Sequence, residues 1–144
     1  MIVAAILRQK GSAAVETIAP SKCLADAAAI LSAYRIGALI CSSDGKTVEG
    51  MISERDIIRV LGKEGPGCLN QSIANVMTKD VKTCTIDETS EDLLKRMTAG
   101  RFRHLPVVTD GVLVGLISIG DAVKARIDDL EHEANALADM IKGY

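Results

Sequence analysis

Gly50-Met51-Ile52-Ser53-Glu54-Arg55-Asp56 is echoed later in the chain by Gly115-Leu116-Ile117-Ser118-Ile119-Gly120-Asp121. In each copy a glycine enters an apolar run, a serine ends it, and an aspartate follows three residues on. The echo extends outward. Val15–Leu61 lies over Val81–Arg126 with one residue deleted, and identities recur at Val15/Val81, Thr17/Thr83, Asp26/Asp92, Ala33/Ala99, Arg35/Arg101, Asp44/Asp110 and Gly45/Gly111. Similarity spread along a whole unit argues for an internal duplication.

Each copy reads the same way by period. An opening strand, around Val15–Ile18 or Val81–Ile86, leads to a helix with apolar residues at helical spacing: Leu24, Ala27, Ala28 and Leu31 in one copy, Leu93, Leu94 and Met97 in the other. Two apolar strands follow, at Ala38–Cys41 and Val48–Ile52, matched by Leu105–Val108 and Leu113–Ile117. Asp44-Gly45 and Asp110-Gly111 fall between them, and an Asp-Gly pair between strands signals a hairpin. A second helix starts at Ser53 or Ser118. The expected class is therefore α/β, as two βαββα units: an N-terminal extension at 1–14, repeats at 15–62 and 81–126, a linker at 63–80 with Pro66 among glycines, and a C-terminal helix at 127–144. In that helix Ile127, Leu130, Ala134, Leu137 and Ile141 alternate by 3 and 4, the spacing of an a/d stripe. The stripe suits packing against a second copy of the chain; folding back on its own domain is the alternative.

Bulk properties exclude several classes. With 144 residues, 48% of them hydrophobic, the chain can bury a core. Aromatics make up 2% and the formal charge is −2, so neither the stacking platforms nor the basic footprint of a nucleic-acid binder is present. The apolar run at Met1–Leu7 is far shorter than the roughly 20 residues of a membrane span, and no basic region precedes it as in a signal peptide. A cytoplasmic protein is expected, with no membrane partner. Cys23, Cys41, Cys68 and Cys84 form no C-x-x-C pair, and only His104 and His132 could supplement them, so no metal site is expected. Catalytic signatures are also missing: there is no nucleophile elbow, P-loop or G-x-G-x-x-G, and no enzyme activity is expected.

The doubled Ser-x-x-Asp element has two readings. Serine at an N-cap and an acid in the first turn stabilise a helix start, each by roughly 0.5–1 kcal/mol. The same geometry offers N–H groups and a hydroxyl to a phosphate, and a carboxylate to both hydroxyls of a ribose. Capping alone leaves the glycines at 50 and 115 unexplained, and a capping box prefers Glu or Gln where these copies have Asp.

Together with the strand Arg103-His104-Leu105-Pro106-Val107-Val108, the doubled G-x-I-S-x-x-D element resembles a tandem pair of CBS domains, the Bateman module. The resemblance covers about Val15 to Arg126. It implies two repeats packed about a pseudo-twofold axis with two clefts between them. It also implies frequent homodimers and binding of AMP, ADP, ATP, or sometimes NAD(H) or S-adenosylmethionine. Ser53 with Asp56, and Ser118 with Asp121, would then face phosphate and ribose, while Thr17-Ile18 and Thr83-Cys84 would lie along the adenine. Arg103 and His104, before Leu105-Pro106, stand where the family often reaches phosphates, whereas the first repeat has Gly37 and Ala38 there. Arg55 is replaced by Gly120 in the second motif. One cleft should therefore hold phosphate better than the other. The expected function is a nucleotide sensor acting on a separate regulated protein, with a ligand-free dimerisation module or, less so, a nucleotide-processing enzyme as its rivals.

Overall fold

The computed structural model describes residues 1–11 and 15–143. In the first repeat, β1 (Thr17–Ile18) leads to α2 (Leu24–Tyr34), β2 (Ala38–Cys41), β3 (Gly50–Ser53) and α3 (Glu54–Glu64); ahead of them stands α1 (Val3–Lys10). In the second, α4 (Ser90–Gly100) is followed by β4 (His104–Thr109), β5 (Val112–Ser118) and the long α5 (Ile119–Ile141). Short 3-10 turns at Pro66–Asn70 and Ile73–Asn75 carry the linker.

The first sheet is β1-β2-β3, with β1 parallel and β3 antiparallel to β2, and Ile18 opposite Cys41. All of β2 is buried, on both faces, which accounts for its unbroken apolar run Ala-Leu-Ile-Cys. The second sheet pairs β4 with β5 only. The opening strand expected over Val81–Ile86 is reduced to a single bridge at Cys84, whose N–H donates to Pro106 O (2.9 Å) while its carbonyl accepts from Val108 N (2.9 Å). The reason is local. The next parallel rung upstream needs an N–H from residue 106, and proline has none.

The two Asp-Gly pairs also differ. Asp110 (φ 51°) and Gly111 (φ 78°) both take left-handed backbone and close a two-residue hairpin between β4 and β5. Asp44-Gly45 instead sits in the longer loop between β2 and β3, where the Asp44 carboxylate accepts from the N–H groups of Lys46 (2.8 Å) and Thr47 (2.7 Å).

Two cores result. One gathers Ile18, Leu24, Leu31, Leu39, Ile52, Cys68 and Ile73; the other gathers Cys84, Leu93, Met97, Leu105, Val107, Ile117 and Ala125. The second core also contains Val3 and Ile6 of α1. Residues read from sequence as an extension therefore belong to the far repeat, tied there by Val3 N–H to Glu88 O (2.8 Å) and Ala4 N–H to Ile86 O (3.0 Å). The boundary drawn at residue 14, and Tyr144, lie outside the described residues. Cys41, Cys68 and Cys84 are buried free thiols, and desolvation pushes the Cys41 and Cys84 thiols up to about 12.

Beyond Leu130, α5 is exposed on every side, so it does not fold back on its own domain. Ile127 and Leu130 are about half exposed and Leu137 and Ile141 more so, leaving the apolar stripe uncovered within the chain.

Candidate functional site

Both helix starts are complete capping boxes with aspartate in the N3 role. At α3, Ser53 Oγ accepts from Asp56 N–H (3.3 Å), and Asp56 Oδ2 accepts from the Ser53 N–H and hydroxyl (2.9 Å each). At α5, Ser118 Oγ accepts from Asp121 N–H (3.1 Å), and Asp121 Oδ2 accepts from Ser118 N–H (2.9 Å). The residues just ahead of β2 and β4 bind the first helical N–H: Glu54 N donates to Gly37 O (3.0 Å) and Ile119 N to Arg103 O (2.8 Å). Aspartate thus fills the position that Glu or Gln more often takes.

The glycines have a packing reason of their own. A Cβ on Gly50 would stand 2.5 Å from Met77 Sδ and 2.9 Å from the Thr78 carbonyl; one on Gly115 would stand 2.6 Å from Leu7 Cδ2. Neither glycine therefore speaks for ligand binding, and the balance between capping and binding rests on what surrounds the motifs.

Each motif opens on a cleft built by both repeats. The Asp121 cleft, about 510 Å³, is lined by Lys10, Val15, Glu16, Arg35, Gly37, Ala38, His104, Ser118 and Asp121 among others. The Asp56 cleft, about 670 Å³, is lined by Gly37, Ser53, Arg55, Asp56, Arg59, Asp80, Val81, Lys82, Arg101, Arg103, His104 and Ser118 among others. Each thus joins the Ser-x-x-Asp start of one repeat to the segment leading into the other. Gly37, His104 and Ser118 line both and form their shared wall.

Charge is divided unevenly. Arg55, Arg59, Lys82, Arg101 and Arg103 line the Asp56 cleft, against Lys10 and Arg35 at the Asp121 cleft. His104 is half-buried, and desolvation lowers its pKa below the usual histidine value, with Lys10 and Arg103 adding to the effect and Glu54 and Asp121 opposing it. At Asp121, burial opposes the charge, but hydrogen bonds from Lys10 and from Ser118 outweigh it and hold the carboxyl below its ordinary value.

Of the residues expected from sequence, Ser53, Arg55, Asp56, Gly37, Ala38, Arg103, His104, Ser118 and Asp121 line one or both clefts. Thr17, Ile18, Thr83, Cys84 and Pro106 are not among the lining residues. Ile18 and Cys84 point into the two cores, Pro106 is fully buried in β4, and the chain meets the clefts two residues earlier, at Val15-Glu16 and Val81-Lys82. Lys10, Arg35 and Arg101 were not anticipated. Arg35 and Arg101 had shown themselves as a repeat identity; both end a helix in left-handed backbone (φ 54° and 56°), a conformation uncommon for a side-chain-bearing residue and worth a functional question.

Comparison with known families decides the matter of kinship: the CBS domain model matches residues 13–63 and 73–128. The chain belongs to the CBS domain family. As a CBS pair it is 40% identical to a CBS-domain containing protein of Agrobacterium tumefaciens, at TM-score 0.83 over 88% of this chain and 99% of that one. It is 25% identical, at TM-score 0.75 over 86% of this chain and 94% of the other, to a CBS domain pair solved in complex with 5′-methylthioadenosine and S-adenosyl-L-methionine. A mitochondrial CBS domain-containing protein of Arabidopsis thaliana is 30% identical over 82% of this chain, and the CBS pair spans 59% of that relative's length. Among the described residues no helix is long and apolar enough to cross a membrane, and no group of three or more His, Cys, Asp or Glu is placed to hold a metal.

Proposed function

We propose that the CBS pair is a regulatory module that takes an adenine nucleotide (AMP, ADP, ATP or NAD(H)) in the Asp56 cleft, passes its ligand state to a separate protein, and works in the cytoplasm. One observation carries this: five cationic side chains, Arg55, Arg59, Lys82, Arg101 and Arg103, outnumber the acids Glu54, Asp56 and Asp80 in a cleft beside the helix N-terminus of Ser53 and Asp56. Phosphate is favoured by the helix dipole and by arginine forks, and a ribose diol by a carboxylate that accepts two hydrogen bonds. The related pair solved with 5′-methylthioadenosine and S-adenosyl-L-methionine supports the adenosine half of this reading, since both of those ligands contain it.

The uncovered stripe of α5 favours a second, compatible reading, assembly of two copies through that helix. If assembly were the sole function, the clefts would stay empty and the capping boxes would serve stability alone.

Calorimetry on Asp56→Asn separates these readings. Loss of charge-assisted hydrogen bonds worth roughly 1.5–3 kcal/mol corresponds to about 10- to 150-fold weaker AMP binding. Stability should meanwhile fall by only about 0.5–1 kcal/mol, since Asn keeps the shape and part of the cap. AMP should also bind more tightly than adenosine, and the difference should shrink in added salt. An Asp56→Asn variant with unchanged AMP affinity, or adenosine binding as well as AMP, defeats the nucleotide reading.

A further inference from the structure

We propose that Lys10 closes the Asp121 cleft to nucleosides, so that each chain takes one nucleotide, in the Asp56 cleft; this rests on the nucleotide reading above. The two clefts carry the same Ser-x-x-Asp start but differ in what sits on the carboxylate. Lys10 Nζ donates to Asp121 Oδ2 at 2.8 Å and to Leu116 O at 2.9 Å. An ammonium and a ribose hydroxyl are both donors, and Asp121 Oδ2 already accepts from Lys10 and from the Ser118 N–H, so a diol that needs both carboxylate oxygens must displace the lysine.

Lys10 is held there by the rest of α1. Val3 and Ile6 are buried in the second core, and Leu7 packs against Gly115, the residue that opens the Gly-x-Ile-Ser-x-x-Asp element. The Lys10 side chain is only 32% exposed. A ligand that needs Asp121 Oδ2 must displace an ammonium that two hydrogen bonds hold in place.

Asp56 carries a cation too, but a more loosely held one. Its cation, Arg59, comes from the same helix, approaches Asp56 Oδ1 at 3.1 Å, and is 64% exposed, so it can swing into solvent without disturbing the fold. The lead-in to the second repeat lies along this cleft as α1 lies along the other, but Lys82, the lysine that lines it, pairs with Asp80 (3.3 Å) and not with Asp56.

Titration with AMP by calorimetry tests the assignment on the full chain. The parent should bind one equivalent, weakened at least 10-fold by Asp56→Asn. Lys10→Met, which keeps the stem and its packing while removing the donor, should bind a second equivalent, and adding Asp121→Asn should remove it again. Lys10→Leu, which also lacks a donor, provides a second route should the Met variant fail to fold, and a melting curve of each variant decides which to read. Two equivalents in the parent, or one equivalent in both Lys10 variants, overturns the role of Lys10 while leaving the nucleotide reading standing. Weaker binding in the Lys10 variants makes Lys10 a ligand contact and likewise overturns it. No AMP uptake by parent and variants alike defeats both.

Discussion

At the scale of single residues, the glycines of the repeated element are read most sharply by what a methyl group would strike. Gly115→Ala meets Leu7, a flexible side chain, whereas Gly50→Ala meets the Thr78 carbonyl as well as Met77. Overpacking of this kind costs about 1–3 kcal/mol. Denaturant melts should therefore show Leu7→Ala relieving Gly115→Ala, with a coupling of at least about 1 kcal/mol, while Met77→Ala relieves Gly50→Ala far less, because a backbone atom cannot withdraw. His104 supplies a pH test. Its folded pKa lies below the ordinary value, so as pH falls through about 6.5 the unfolded chain takes up a proton that the folded chain refuses. Stability should fall from pH 7 toward the lower folded value, and His104→Gln should make that loss smaller; an equal loss in both proteins would mean that burial of His104 carries no such linkage. The serines and aspartates of the motif were legible because duplication displays them twice. Lys10 has no counterpart in the other repeat, and its importance depends on where a distant helix docks, which no local pattern reveals.

The elements were legible wherever a period or a cap announced them. Helices α2, α4 and the end of α5 follow their apolar spacing, α3 starts at the serine read for it, and β2 through β5 follow their apolar runs. The second opening strand failed for a reason that a linear reading passes over: its partner strand contains Pro106, which cannot donate to it. The lining of the clefts by Val15-Glu16 and Val81-Lys82, two residues ahead of Thr17 and Thr83, was not legible, because it depends on how the chain approaches each sheet before pairing with it. For α5, about 35 Å long at 1.5 Å per residue, the stripe of Ile127, Leu130, Leu137 and Ile141 is uncovered. Ending the chain after Arg126 should weaken self-association in light scattering while leaving both cores intact; a full-length protein that stays monomeric at tens of micromolar would refute assembly through this helix.

For the whole molecule, duplication explains the plan and its asymmetry together. The linker lays Met77 and Thr78 on Gly50 of the first repeat before entering the second, and α1 lays Leu7 on Gly115 of the second repeat before the chain enters the first. Each lead-in crosses to the opposite half. The doubled plan was visible in the sequence through the repeat, but this exchange was not, since α1 and the linker share no residues that would align them. The exchange also completes the clefts, each with the aspartate of one repeat and the lead-in of the other. Unequal lead-ins are therefore enough to give two sites of common ancestry different properties.

The buried cysteines give this architecture a clock. Cys41 and Cys68 lie in the first core and Cys84 in the second, and a thiol with its pKa near 12 reacts negligibly with an alkylating reagent until water reaches it. Mass spectrometry of iodoacetamide-pulsed protein would then time the opening of each half separately. Because the lead-ins are exchanged, the halves should open as one cooperative unit, with Cys41 and Cys84 labelled at matching rates. Labelling of Cys84 well ahead of Cys41 would show instead that the second half breathes alone.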